Sequence, residues 1–235
     1  MDYIWDPLKL TLDEMAHVHK YNSFIFSNIK PYLGKVILEI GAGIGNISNL
    51  LRTANPDHLI VTDYTDYYAG ILQELFKTDP KTKAYKLDIS RESALNDFKT
   101  IDTIVCINVL EHIKDDVAAL RNCHALLSHA GNCILFVPAV PRLYGTLDKN
   151  LGHYRRYCLK EVVEKLKKAG FQIVLAKYFN MIGLLGWFAS SRIFKKKIIP
   201  VSHLKFFENI SFILKIEKYI KIPIGLSVIA VGRKP

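Results

Sequence analysis

A short apolar run that leads directly into three glycines is the feature that most constrains how this chain folds. The run from Val36 to Ile40 has the character of a buried strand, and Gly41, Gly43 and Gly45 follow it at intervals of two residues. Glycine adopts backbone conformations that other residues avoid, and it allows a ligand to approach the main chain closely. A helix that begins after such a turn directs its first N–H groups at that ligand. The segment therefore predicts a strand, a ligand-binding turn and a helix.

Short apolar runs alternate with helix-period segments from residue 35 onward, a pattern typical of a parallel sheet with crossover helices. The chain of 235 residues is long enough for one such domain. We predict an α/β fold, a Rossmann-like seven-stranded sheet with helices on both faces. The predicted strands are Val36–Ile40, His58–Thr62, Lys83–Leu87, Thr103–Ile107, Cys133–Val137, Ile173–Lys177 and Leu226–Val231. The predicted helices are Asn46–Ala54, Ala69–Lys77, Ala94–Lys99, Asp115–Leu127 and Leu159–Ala169.

Two segments lie outside the predicted core, which comprises residues 35–178 and 224–235. Residues 1–34 predict an N-terminal helical cap over the ligand pocket, closed by Pro31. Residues 179–223 separate the last two strands by far more than an ordinary loop, so we expect a helical insertion there.

Acidic residues in or at the ends of the first three strands restrict the class of ligand. Glu39 stands just before the glycines, where a carboxylate suits a cationic ligand better than a pyrophosphate. Asp63 ends the second strand and can accept hydrogen bonds from ribose hydroxyls, and Asp88 can accept one from an adenine amino group. Helix capping is the alternative for both aspartates. Asn46 occupies the last position of the dinucleotide fingerprint GxGxxG, which disfavours NAD.

The segments LEIGAGIGN, VTDY, KLDIS and INVLEHIKDD occur in this order. They resemble motif I and the succeeding motifs of class I S-adenosylmethionine-dependent methyltransferases over about residues 35–137. The resemblance implies S-adenosyl-L-methionine as cofactor, S-adenosyl-L-homocysteine as product, and an antiparallel hairpin of the last two strands. The candidate cofactor-binding residues are Glu39, Gly41, Ala42, Gly43, Gly45, Asp63, Tyr64, Asp88, Ile89, Asn108, Val109 and Tyr21.

The run from Val137 to Tyr157 is similar to bacterial methyltransferases of the Methyltransferase-11/12/23 type, often found beside glycosyltransferases. The substrates of such relatives are mostly unassigned, so this resemblance identifies no substrate. We expect a small-molecule, saccharide or lipid-linked acceptor, methylated on a hydroxyl, amine or carboxylate. His112, His153 and Tyr144 are the catalytic candidates. For His112 a general-base role competes with a structural one, in which Glu111-His112 caps the next helix or borders the cofactor.

Three charged residues in the same run are candidates for substrate binding. Arg155 and Arg156 would favour an anionic acceptor such as a carboxylate, phosphate or sugar nucleotide, and Asp148 lies nearby in sequence. The alternative is that these loop arginines pack on a helix.

The net charge of +10 is concentrated late in the chain, where basic and aromatic residues alternate within residues 179–223. Such a segment suits a peripheral contact with a membrane, a lipid-linked acceptor or stacked bases, or it forms a helical subcore with solvent-facing lysines. The chain start does not resemble a signal peptide, so we expect a cytoplasmic protein, with the inner membrane surface as a further option. Four scattered cysteines predict reduced thiols, and no metal site is expected.

Three competing functions remain open at this stage. A nucleic-acid methyltransferase explains the charge, but no NPPY-like tetrad is present. An NAD-dependent oxidoreductase on the same fold is disfavoured by Asn46, by Glu39 and by the lack of a Tyr-x-x-x-Lys arrangement. A non-catalytic module would bind the cofactor without turnover.

Overall fold

A single seven-stranded sheet organises the protein, whose computed structural model describes residues 18–91, 101–188 and 222–235. The strand order is β3-β2-β1-β4-β5-β7-β6. Strands β1 to β5 run parallel, and β7 lies antiparallel between β5 and β6. The strands are β1 (Val36–Ile40), β2 (His58–Asp63), β3 (Thr82–Lys86), β4 (Ile101–Ile107), β5 (Leu127–Pro138), β6 (Gln172–Phe179) and β7 (Ser227–Arg233). The predicted sheet and the antiparallel hairpin are confirmed.

Helices cover both faces of this sheet. The α-helices are α1 (His19–Ile29), α2 (Ser48–Arg52), α3 (Asp66–Phe76), α4 (Asp116–Leu126), α5 (Thr146–Asn150), α6 (Leu159–Lys168) and α7 (Met181–Phe188). Single turns of 3₁₀ helix occur at Lys30–Tyr32, Leu110–His112 and Pro141–Leu143. The predicted helix Ala94–Lys99 lies outside the described residues, as do residues 1–17 of the cap and 189–221 of the insertion.

Some boundaries differ from the prediction for physical reasons. The helix predicted from Asn46 begins only at Ser48, because residues 43–47 form turns that include Gly45, whose φ of +86° is left-handed. Strand β5 begins at Leu127, and its pairing with β4 shifts register past Ala130, which has a φ of +60°. Strand β6 extends to Phe179, which the prediction had placed in the insertion.

The core consists of two apolar layers, one on each face of the sheet. Leu38 and Ile104 face one layer, while Ile37 and Val105 face the other. Central strands buried on both faces are typical of parallel sheets, and they explain why these strands read as continuous apolar runs. Helix α1 packs into the second layer through Ile25 and Ile29, its least exposed residues.

The cysteines and the lengths of the helices bear on two further expectations. All four cysteines are free, and Cys106, Cys123 and Cys133 are buried in the interior. Among the described residues, no helix combines the length and apolar character that crossing a membrane requires.

Candidate active site

The turn after β1 has the backbone conformation that the glycines predict. Gly41, Gly43 and Gly45 have φ angles of +68°, +56° and +86°. A Cβ atom on Gly41 would lie 2.5 Å from Cγ2 of Val109, so this position has no room for a side chain. The Ala42 N–H donates to the Thr62 carbonyl at 2.8 Å and ties the turn to the end of β2. The main chain is thus held open at the carboxyl edge of the sheet, where open α/β sheets bind ligands.

Asp63 braces the same turn from the end of β2. Its Oδ2 accepts a hydrogen bond from the Gly43 N–H at 3.2 Å, and Oδ1 accepts bonds from the N–H and hydroxyl of Thr65 at 3.0 and 3.1 Å. A carboxylate offers about four lone-pair sites, so Oδ2 retains capacity for one more donor. The arrangement fits a ribose hydroxyl beside the glycine turn, while Thr65 rather than Asp63 caps helix α3.

Glu39 lies below the turn and is buried, with 3% of its surface exposed. The Ser48 hydroxyl donates a hydrogen bond to its Oε2. Burial raises the pKa of Glu39 to about 7, although the Ser48 hydrogen bond opposes this shift. The carboxyl group is therefore poised to ionise when a cation approaches, as expected for a residue beside a sulfonium or ammonium group.

The remaining candidate cofactor residues lie at neighbouring strand ends. Asp88 follows β3 and closes a local turn through the Ser90 N–H, at 3.0 Å, and an ion pair with Arg91. Asn108 follows β4 with a φ of +54° and an exposed side chain. Tyr64 is 63% exposed, so its ring is accessible to a ligand. Ile89 is buried, Val109 packs against Gly41, and Tyr21 on α1 packs edge-on against Phe179.

These residues pass a test of fit for S-adenosylmethionine. A Cβ atom at Gly41 or Gly45 would lie 2.5 or 2.7 Å from a side-chain atom, so the turn accepts only glycine at these two positions. This turn, the spare lone pair of Asp63 and the buried Glu39 carboxyl group, with its pKa of about 7, match a nucleoside that carries a positive charge. Gly41 and Gly43 would approach its methionyl part, Asp63 its ribose, and Asp88 with Ile89 its adenine.

A second polar cluster lies beyond β4 and β5. Asp148 is fully buried, and its Oδ1 accepts hydrogen bonds from His153 Nδ1 at 3.0 Å and from Arg156 Nε at 2.7 Å. Burial alone would raise the pKa of Asp148, but the His153 hydrogen bond and the Arg156 charge outweigh it, so its pKa is lowered. An ionised carboxylate can only accept hydrogen bonds, so His153 Nδ1 is the donor to Asp148, and Nε2 is the ring nitrogen on the side of Glu111.

Glu111 and His112 belong to the 3₁₀ turn after β4 and lie beside the His153 ring. His153 Nε2 lies 4.0 Å from Glu111 Oε1, and the two imidazole rings meet edge-on with centroids 4.7 Å apart. Burial raises the pKa of Glu111 to about 7. Burial also lowers the pKa of His112 to about 4, which leaves His112 neutral and only weakly basic.

The two arginines differ from the expected arrangement. Arg156 is buried, with its Nη1 donating to the Ala139 carbonyl at 3.0 Å and its guanidinium 4.3 Å from the Trp187 ring centroid. Arg155 pairs with Asp116 at 2.8 Å. Both guanidinium groups thus already contact a carboxylate, because the chain after Gly152 folds back onto the protein. Asp116 is shared between Arg155 and Lys165, and the Arg155 side chain stays 28% exposed, whereas Arg156 is closed to an anionic acceptor.

Tyr144 is also engaged, since its hydroxyl donates to the His153 carbonyl at 2.7 Å. Two buried carboxyl groups were not predicted as part of the site. Asp116 accepts hydrogen bonds from Arg155, Tyr157 and Lys165, and Glu111 lies in the 3₁₀ turn after β4. The sequence signal for Glu111 was its position four residues after an apolar strand, next to the buried Leu110.

The comparisons with known proteins agree with this geometry. Residues 38–133 match the sequence family described as Methyltransferase domain. A ubiquinone biosynthesis O-methyltransferase of Aliivibrio fischeri (strain ATCC 700601 / ES114) is 20% identical over 145 residues, 60% of this chain and 58% of that protein. Its counterpart in Actinobacillus pleuropneumoniae serotype 7 (strain AP76) is 23% identical over 78% of this chain and 76% of that protein.

Solved structures share the fold. An S-adenosylmethionine-dependent methyltransferase from Mesorhizobium loti superimposes with a TM-score of 0.60 at 11% identity, covering 89% of this chain and 96% of that one. Another, from Clostridium acetobutylicum ATCC 824, gives a TM-score of 0.58 at 14% identity, covering 92% and 91%. The chain spans 58% of the length of the two Aliivibrio fischeri relatives that it matches.

Proposed function

We propose that this chain, which belongs to the class I S-adenosylmethionine-dependent methyltransferases, transfers a methyl group to a hydroxyl oxygen of a small-molecule acceptor. One observation carries the proposal. The glycine turn and Asp63 form a nucleoside cradle on the same sheet edge as a buried polar cluster that contains the imidazole rings of His112 and His153.

The residues of the cradle hold and orient the methyl donor. S-adenosylmethionine supplies a methyl group activated by its sulfonium. Asp63 fixes the ribose and the glycine turn, while the Glu39 carboxyl stabilises positive charge once it ionises. Holding both reactants in one geometry accounts for much of the rate enhancement in such displacements.

The polar cluster after β4 and β5 is the proposed acceptor site. A hydroxyl oxygen becomes a good nucleophile only when it loses its proton. Asp148 positions His153, whose Nε2 is the atom that accepts the proton of the hydroxyl, and Glu111 and His112 orient the hydroxyl beside it. Tyr144 fixes the loop through the His153 carbonyl, so we assign it a positioning role.

Two observations bear on the class of acceptor: the similarity to named relatives and the ion pairs of the two arginines. Similarity to proteins named O-methyltransferases supports an oxygen atom as the target. Because Arg155 and Arg156 are already paired with carboxylates, a neutral acceptor fits better than a phosphate or sugar nucleotide. Amines, carboxylates, saccharides and lipid-linked intermediates remain as comparison substrates.

Membrane contact through residues 179–223, at the inner surface of a cytoplasmic membrane, is a separate proposal that liposome binding would test.

Calorimetric titration with S-adenosylhomocysteine tests the cofactor site. We expect saturable binding to the wild-type protein, no binding of NAD, and at least tenfold weaker binding to Asp63→Ala, since a charge-assisted hydrogen bond contributes about 1.5–3 kcal/mol. Asp57→Ala removes an exposed aspartate before β2 and serves as the matched control. Asp63→Asn, which keeps an acceptor for Thr65, separates ligand binding from collapse of the turn.

Turnover tests the acceptor. The release of S-adenosylhomocysteine is measured with a panel of phenols, sugars, amines and carboxylic acids. Methylation of a hydroxyl that falls in His153→Gln supports the proposal. Turnover confined to amines or carboxylates, or binding of NAD alone, refutes it.

A further inference from the structure

We infer that Glu111, His112 and His153 form a binding site for one divalent transition-metal cation of the zinc type. Glu111 and His112 lie in the turn after β4, and His153 lies in the loop after α5. Each of the three residues offers one ligand atom. These three atoms lie within 4.8 Å of one another. Around a tetrahedral zinc ion with bonds of about 2.0 Å, ligand atoms lie roughly 3.3 Å apart, so small side-chain rotations suffice to close the site.

The Glu111 carboxyl group provides the second, independent observation. The side chain is fully buried, yet neither Oε1 nor Oε2 has a hydrogen-bond partner. A buried carboxyl without partners is costly, and native proteins rarely keep one without a role. A cation bound between Glu111 and the two histidines would satisfy its oxygens.

The surroundings of the two histidines match those of metal ligands. His153 donates through Nδ1 to Asp148, which leaves Nε2 directed at Glu111. A hydrogen bond from a ligand's second ring nitrogen to a carboxylate is the usual way in which proteins orient metal-binding histidines. The His112 ring is likewise held by a backbone hydrogen bond with Gly152. Both rings are thus fixed before a cation arrives.

The donor set selects the kind of cation. Two imidazoles and one carboxylate are the ligands of catalytic zinc sites and of other first-row divalent ions, whereas Mg²⁺ and Ca²⁺ prefer oxygen ligands. Arg156 balances the charge of Asp148, so Glu111 supplies the negative charge facing the cation. Three protein ligands leave at least one coordination position open.

This open position gives the proposed acceptor site a specific chemistry, an inference that rests on the proposed function. A hydroxyl oxygen coordinated there would release its proton to solvent more readily, as metal-bound water does. That oxygen would then bond to the methyl group as the methyl–sulfonium bond breaks and S-adenosylhomocysteine leaves. His112 and His153 then act as ligands rather than as general bases. The acceptors favoured are those that present a hydroxyl able to coordinate, such as phenols with a second neighbouring oxygen.

Metal binding is measured on the full chain without an affinity tag. The protein is first stripped of metal and cofactor, and its cysteines are kept reduced. We expect one equivalent of Zn²⁺ by calorimetry, and visible d–d absorption bands when Co²⁺ is added. Glu111→Gln and His153→Gln should weaken Zn²⁺ binding at least 100-fold, because each removes a direct ligand, whereas loss of an outer partner costs 10–100-fold. His129→Gln removes an exposed histidine at the opposite end of β5 and should bind Zn²⁺ as the wild-type protein does.

The outcomes separate this inference from the proposed function. Binding of S-adenosylhomocysteine by both ligand variants shows that they are folded and that only the metal site is lost. Absence of stoichiometric Zn²⁺ and Co²⁺ binding overturns the inference, as does a thiolate-to-Co²⁺ charge-transfer band or unchanged affinity in both variants. Neither result bears on cofactor binding, which the Asp63 titration tests alone.

Discussion

The Glu39 carboxyl group and the Ser48 hydroxyl form a buried hydrogen bond between the end of β1 and the start of α2. This contact joins the last strand residues before the glycine turn to the helix that follows it. The pair thus connects the two ends of the turn and holds an ionisable group beside it.

The first prediction concerns how stability depends on pH. The carboxyl of an unfolded Glu39 titrates near 4.5, whereas burial holds its folded pKa at about 7. The folded state therefore binds more protons than the unfolded state between these values, and stability decreases as pH rises through this window. The shift corresponds to roughly 3 kcal/mol, which Glu39→Gln should remove.

Urea unfolding of wild-type protein and Glu39→Gln at pH 4.5 and pH 8 measures this difference. Glu111 titrates in the same window and contributes to both proteins, so only their difference reports on Glu39. Ser48→Ala is the companion variant, because loss of its hydrogen bond should raise the Glu39 pKa further and steepen the decline. Equal pH dependence in wild-type protein and Glu39→Gln contradicts the prediction.

The second prediction concerns Gly41. A left-handed φ costs a non-glycine residue about 1–2 kcal/mol, and contact with Val109 adds a steric term. We expect Gly41→Ala to lower the free energy of unfolding by about 2–4 kcal/mol and to abolish binding of S-adenosylhomocysteine. Val109→Ala in the same chain should recover the steric part only, which a double-mutant cycle measures.

Gly70→Ala is the matched control for this series. Gly70 lies in α3, and an added Cβ there has no atom within 4 Å. Alanine should therefore stabilise the protein by about 0.5–1 kcal/mol through its higher helix propensity. If Gly41→Ala behaved like Gly70→Ala, the account of the turn would be wrong.

The third prediction concerns the buried ion pair of Asp148 and Arg156. Removing one partner leaves an unpaired buried charge, so Arg156→Met and Asp148→Asn should each destabilise the protein by about 3–5 kcal/mol. The double variant should lose less than the sum of the two, because no lone charge remains. Denaturant unfolding of all four proteins gives the coupling free energy, and strict additivity would show that the two groups are independent.

The ion pair of Asp148 and Arg156 is a feature of the site that the sequence could not predict. The strands and the glycine turn could be predicted, because local apolar runs and glycine spacing determine them. The burial of Arg156 could not, since it depends on α5 and the turn at Gly152, which bring two residues eight positions apart into contact. Charged residues in a polar segment look solvent-exposed until the chain path is known.

The site after β4 illustrates the same limit. A Glu-His pair behind a strand is consistent with a cap, a base or a ligand, and the sequence alone does not bring His153 to it. That contact requires the tertiary packing of the loop after β5 against the turn at Leu110–His112. Strand ends at one edge are predictable from topology, whereas contacts between two loops are not.

The last prediction separates backbone from side chain at Asn108. This residue directly follows β4 with a φ of +54°, and its N–H donates to the Phe136 carbonyl at 2.8 Å. Asparagine tolerates this conformation better than alanine does, so Asn108→Ala should cost about 1 kcal/mol of stability, whereas Asn108→Gly should be near neutral. If the exposed side chain contacts the cofactor, both variants should bind S-adenosylhomocysteine about fivefold more weakly, the loss expected for one hydrogen bond. Calorimetry measures the affinities and urea unfolding the stabilities. Wild-type affinity in Asn108→Gly would assign the role of this position to its backbone and remove Asn108 from the cofactor-binding side chains.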